Sequence, residues 1–245
     1  LTYDHDITVQ RSSPLCFDIS SNPVAKIKKI QKFERVLERN LNTEELRIVW
    51  GACCQYMNPV YASLLKIMIC TGFHPVELLR LSSTDIITDE KAIYMTQTKS
   101  STPNLILLNK YAWEEIQTRL NGPSANNLLF PSRVSNPKSD DYDRASVLSN
   151  QVAALRSNLP IESFTPRDIR RTVKTLMGKA GISKTMRDRM QNHTASDVSG
   201  KHYDRYDYLP EKKAAMKTWE QWLAKNVIEP GAIESNVISG IFTKA

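Results

Sequence analysis

The sequence predicts a mainly α-helical fold with one small antiparallel β-sheet, an α+β arrangement in which the sheet follows the third helix. Apolar residues recur at helical spacing on both sides of the chain's middle. Between them, residues 85–109 (DIITDEKAIYMTQTKSSTPNLILLN) change period: Ile93, Met95 and Gln97 alternate with Tyr94, Thr96 and Thr98. That stretch is rich in β-branched and aromatic residues and broken by a polar SSTP turn, which predicts two or three strands. The βαβ alternation of a doubly wound fold is absent.

Residues 1–40 are polar and irregular, with Pro14, Pro23 and the basic run KIKKIQKFER, and read as a linker or the tail of an upstream domain. Asn42 followed three residues later by Glu45 marks a helix start, because a side-chain acceptor and a carboxylate can then satisfy orphan amides reciprocally. Helices are predicted over 43–57 and 60–71. The second contains SLLKIMIC, apolar almost all round, which marks a central helix. Gly72 supplies its stop, and Pro75 opens a short third helix. After the sheet, helices are predicted at 110–120, 145–158, 166–180, 184–191 and 211–225, with a loop over 121–143. Residues 41–226 form the main predicted domain. Residues 227–245 form a tail whose Val237, Ile238, Ile241 and Phe242 suggest docking on a neighbouring protomer.

At 245 residues the chain can bury a sizeable core. The 33 basic residues against 26 acidic ones give a net charge of +7 and favour a polyanionic partner, nucleic acid or an anionic membrane surface. No apolar run approaches the roughly 20 residues that span a bilayer. The opening LTYDHDITVQ lacks signal-peptide character and reads as the middle of a chain. Cys53 and Cys54 are adjacent, a spacing that fits no zinc site, and Cys16 and Cys70 stand apart. All four read as reduced thiols of a cytoplasmic protein. Asp140, Asp141 and Asp143 read as a solvated loop.

The segment FTPRDIRRTVKTLMGKAG is the most informative. Thr165 can cap a helix with Pro166 in its first position and Asp168 three residues after the cap. Ile169, Val173, Leu176 and Met177 make its buried stripe, while Arg167, Arg170, Arg171 and Lys174 make a basic face. Arg167 in the first turn opposes the helix dipole, a cost of about 0.3–1 kcal/mol that a bound anion would remove. Pairing with Asp168 or another surface acid is the alternative.

Downstream, QNHTASDVSGKHYDRYDYLPEKK places His193 ten residues before Tyr203. RDIRRT followed by this NH…Y pattern resembles the tyrosine site-specific recombinases, the phage-type integrases. TGFHPVELLRL (71–81) resembles the family's first box, TQTKSSTPNLILL (96–108) its lysine hairpin, and RDIR (167–170) its HxxR box. The resemblance covers roughly residues 36–220. It implies the tyrosine recombinase catalytic-domain fold, with Tyr203 as nucleophile, Lys99 in the lysine position, His193 as the later histidine, and Arg170 with Arg167 in the HxxR pair. Two positions depart from the pattern: His74 replaces the first-box arginine, and Arg167 replaces the histidine of HxxR.

The chemistry fits these residue types. A phenol, with pKa near 10, can attack phosphorus if nearby cations stabilise its negative charge. Arg170, Arg167 and His193 would hold the non-bridging oxygens, and Lys99 would protonate the departing 5′-oxygen. The resulting 3′-phosphotyrosyl bond conserves the phosphodiester energy, so neither ATP nor a metal cofactor is implied, and the sequence has no GxxxxGK[ST] loop or HExxH. His74 weakens the set, because neutral histidine offers one donor where arginine offers a fork. Glu77 reads as structural, and Tyr206 and Tyr208 read as packing or DNA-backbone contacts. The resemblance implies double-stranded DNA as partner, a homotetramer on DNA, an accessory DNA-bending protein and a cytoplasmic, nucleoid-associated setting. A non-catalytic DNA-binding relative disabled at His74, or a type IB topoisomerase-like enzyme, are the alternatives.

Overall fold

The computed structural model describes residues 39–96, 103–122, 127–131, 145–192 and 208–229. Helix α1 (Thr43–Tyr56) starts at the predicted capping box: the Asn42 side chain accepts from the Glu45 amide at 2.9 Å, and the Glu45 carboxylate accepts from the Asn42 amide at 2.8 Å. Helix α2 (Pro59–Thr71) is capped by Asn58 and begins on proline. Ten of its 13 residues are buried, which makes it the central rod of the domain, as its nearly all-round apolar character predicts. Gly72, at φ 69°, ends it in the left-handed region that favours glycine. Short helix α3 (Pro75–Leu79) follows, beginning at Pro75 as predicted.

The sheet has three antiparallel strands in sequence order: β1 (Ile86–Ile87), β2 (Ala92–Met95) and β3 (Asn104–Leu107). Ile93 faces Ile86 on one side and Ile106 on the other, and Met95 faces Asn104. Ile93 and Met95 are buried while Tyr94 between them is 44% exposed, so the period-two pattern matches an inner and an outer face. A 3-10 turn at Ser83–Asp85, with its own capping box, leads into β1.

Helices α4 (Lys110–Leu120), α5 (Ala145–Arg156), α6 (Pro166–Lys179), α7 (Lys184–Met190) and α8 (Leu209–Leu223) complete the described helices. α2 packs against α1, α3, α4, α6 and α8. The indole of Trp219 on α8, fully buried, donates to the Ile69 carbonyl at 3.3 Å, joining the C-terminal helix to the central one.

Several elements differ from the sequence expectation in extent. α8 begins two residues early, at Leu209, with Pro210 in its first turn. It then runs into a π-helical turn at Ala224–Ile228, where Arg47 of α1 donates to the Asn226 carbonyl at 3.1 and 3.0 Å. That contact compensates carbonyls released by the wider turn. Within the predicted loop, Leu128 bridges Ser82, and Leu129 and Phe130 are buried. Cys53, Cys54 and Cys70 are free thiols. Burial pushes Cys53 up to about 12 and raises Cys70 as well, consistent with their packing role. Among the described residues no helix is long and apolar enough to cross a membrane.

Candidate active site

Helix α6 carries the centre of the site. Thr165 and Asp168 form a capping box: the Thr165 amide donates to the Asp168 carboxylate at 2.9 Å, and the Thr165 hydroxyl does so at 2.7 Å. Ile169, Val173, Leu176 and Met177 are all essentially inaccessible, as the periodicity predicts. Thr172 on the same buried side accepts from the Leu41 amide at 2.8 Å, which fixes the start of the domain against α6.

With that stripe inward, the two box arginines diverge in setting. Arg167 is exposed in the first turn. The alternative of pairing with Asp168 is not what forms: Asp168 holds Arg171 at 2.7 Å, one helical turn on. Among the described residues Arg167 has no ion-pair partner.

Arg170 is part-buried, and its guanidinium bridges two loops. One terminal nitrogen donates to the Gly72 carbonyl at 2.6 Å and the other to the Gln191 carbonyl at 2.6 Å. Gly72 lies two residues before His74, and Gln191 two residues before His193. Desolvation lowers the guanidinium below its ordinary value, and the charge of Glu77 partly opposes this. Two of the five N–H groups are thus committed to neutral carbonyls.

His74 is the N-cap of α3, and its Nδ1 accepts from the Val76 amide at 3.3 Å. That acceptor role leaves Nε2 as the donor end of the ring. Glu77, in the first turn of α3, is half-buried and acts electrostatically on Arg170, in line with its structural reading.

Lys99, His193 and Tyr203 lie outside the described residues, as do Tyr206, the aspartates 140, 141 and 143, the 1–38 stretch and the tail after Glu229. Tyr208 is described. Its ring lies 3.5 Å from the Arg189 guanidinium carbon, and its backbone sits at φ 55° at the entrance to α8. The structure therefore brings together α6, the 72–74 loop and the end of α7. Gln191, which carries no periodic or motif signal in the sequence, joins them as a buried partner of Arg170.

The Phage integrase family model matches residues 39–209. No curated protein matches the sequence. Among solved structures, the chain is similar to XerH site-specific recombinase bound to its difH substrate, at 20% identity over 64% of this chain and 47% of that one, with a TM-score of 0.52. It is similar to the Tn1549 transposon integrase in complex with a circular intermediate DNA, at 16% identity over 74% of this chain and 65% of that one, TM-score 0.53. It is also similar to the integrase of mycobacterium phage Brujita, at 11% identity over 83% of this chain and 63% of that one, TM-score 0.58. The chain thus spans between 47% and 65% of those proteins' lengths, and at such identities the likeness establishes the fold. With the family match covering most of the chain, from the residue before Asn40 to the first residue of α8, the protein belongs to the phage integrase family, the tyrosine recombinases.

Proposed function

We propose that this chain cuts and rejoins double-stranded DNA as the catalytic part of a site-specific recombinase, with Tyr203 as nucleophile. The observation that carries the reading is Arg170. A part-buried guanidinium locked to the carbonyls of Gly72 and Gln191 is preorganised to receive a phosphate between two loops that lead to His74 and His193. Arg167 supports it as an exposed cation at a helix start, where a phosphate is favoured by both the dipole and the fork. A net charge of +7 suits the same partner.

In this reading Arg170, Arg167, His193 and the Nε2 end of His74 stabilise the non-bridging oxygens of the scissile phosphate. The Tyr203 phenolic oxygen forms a bond to phosphorus as the bond to the 5′-oxygen breaks. The phenol releases its proton to solvent water, and the Lys99 ammonium supplies one to the departing oxygen and is reprotonated from solvent. The phosphotyrosyl bond retains the phosphodiester's energy, so attack by a 5′-hydroxyl reverses the step and joins strands. Pairwise exchange of strands requires a tetramer on two sites, and the tail of residues 227–245 is its proposed docking element. An accessory DNA-bending protein and a cytoplasmic, nucleoid-associated setting belong to the same reading.

The test is covalent trapping. A random-sequence duplex library is nicked in one strand, so that cleavage beside the nick releases a short oligonucleotide and cannot reverse. The full chain is expected to form a denaturation-resistant adduct that Tyr203→Phe abolishes. Absence of any adduct across the pH range would overturn catalysis.

One observation favours a second reading, a DNA-binding relative that does not cleave: Nδ1 of His74 is engaged as the cap of α3, leaving the ring a single donor where an arginine would offer a fork. Adduct formation that appears only in His74→Arg would support it.

A further inference from the structure

The geometry points to Gln191 as a positioning residue for Arg170, acting through the guanidinium and the α6 backbone without touching DNA; the inference rests on the proposed function above. Gln191 is 3% exposed, unusual burial for a primary amide. Its main chain and its side chain each meet Arg170. Its main-chain carbonyl accepts from the Arg170 guanidinium at 2.6 Å, and its side-chain Nε2 donates back to the Arg170 carbonyl at 3.2 Å. The end of α7 is thereby tied to α6 by a reciprocal pair. The same Nε2 lies 2.5 Å from where a Cβ on Gly72 would stand, so it fills the space above the residue whose carbonyl receives the other guanidinium nitrogen. Gln191 thus supports both carbonyl anchors of Arg170, one through its own backbone and one through packing.

A second feature separates this role from simple packing. The Gln191 Oε1 is buried and has no hydrogen-bond partner among the described residues. A buried acceptor without a donor is unfavourable for stability. An apolar side chain of similar volume would remove that penalty, so on packing grounds leucine or methionine would serve better. The amide is accounted for by what its nitrogen does to Arg170. Stability and activity should therefore respond to its removal in opposite directions.

The experiment uses Gln191→Leu and Gln191→Met in the full chain, with a duplex recovered from the trapping selection. The rate of adduct formation at saturating duplex is expected to fall about 10–100-fold, the scale of a slightly misplaced catalytic group. The Kd for the intact duplex is expected to change by no more than about threefold, since the effect belongs to the reacting geometry, and the Tm is expected to stay level or rise. In spectra of side-chain-labelled arginine, the Arg170 guanidinium signals (assigned by their loss in Arg170→Lys) are expected to show restricted rotation in the wild type and faster rotation in both variants. Wild-type adduct rates, or unchanged Arg170 rotation, in a variant that folds would overturn the assignment. Should the wild type form no adduct, the proposed function fails, and the rotation measurement still decides whether Gln191 holds Arg170.

Discussion

Arg170 donates to the Gly72 carbonyl at 2.6 Å across 98 positions of sequence, joining the N-terminal half of α6 to the residue that ends α2. Gly72 can make this contact because its left-handed φ of 69° turns the chain at that point. The pairing makes the glycine part of the site as well as a helix terminus.

Gly72→Ala is the first test of that coupling. An alanine would adopt an unfavourable φ, costing roughly 1–2 kcal/mol, and its Cβ would meet the Gln191 amide nitrogen at 2.5 Å, adding overpacking strain of about 1–3 kcal/mol. Denaturant unfolding is expected to show the sum of the two, and a variant as stable as the wild type would refute the contact.

Arg170→Lys keeps a positive charge but not the fork. A single ammonium has no planar geometry with which to span both carbonyls and still face a phosphate. Adduct formation is expected to fall by about 10²–10³-fold, the usual scale for losing one preorganised donor.

Arg167→Gln tests the exposed cation by a different measurement. Loss of one phosphate contact should lower the slope of log K against log salt by about one unit, with little effect on sequence preference. An unchanged slope would remove Arg167 from the DNA-facing set.

Tyr111 gives a pH prediction. Burial and the neighbouring Glu229, whose carboxylate accepts from the phenol at 2.9 Å, push this tyrosine up to about 12. The folded state then keeps a proton that the unfolded chain releases near pH 10. The unfolded state binds fewer protons in that interval, so stability falls as pH rises from about 10 to 12. Thermal unfolding of the wild type should lose ground to Tyr111→Phe over that range and match its trend below it.

Arg47→Met addresses the C-terminal end of α8. Methionine retains the buried stem but removes the donors to the Asn226 carbonyl and to Glu44. A loss of about 1–3 kcal/mol in unfolding free energy is expected, together with release of the π-helical turn as read by faster amide exchange at residues 224–228.

Much of this architecture was legible without coordinates. Asn42 with Glu45, Thr165 with Pro166 and Asp168, and Gly72 announce helix ends because capping bonds join residues two to four apart. The stripe Ile169, Val173, Leu176, Met177 and the alternation around Tyr94 follow from the two backbone periods. The order of the boxes was enough for the family, and the family match over residues 39–209 agrees.

What the sequence by itself determined was therefore local: where helices begin and stop, which face turns inward, and which residue types stand in which order. Tertiary structure alone decided which groups meet. That Arg170 rests on two carbonyls, that Arg47 serves a π-helical turn 179 positions away, and that Gln191 is buried beside Gly72 all depend on packing between distant elements. The physical reason is that a carbonyl, the commonest partner here, belongs to every residue alike. Only the approach of helices through their buried faces selects which carbonyl a given arginine finds.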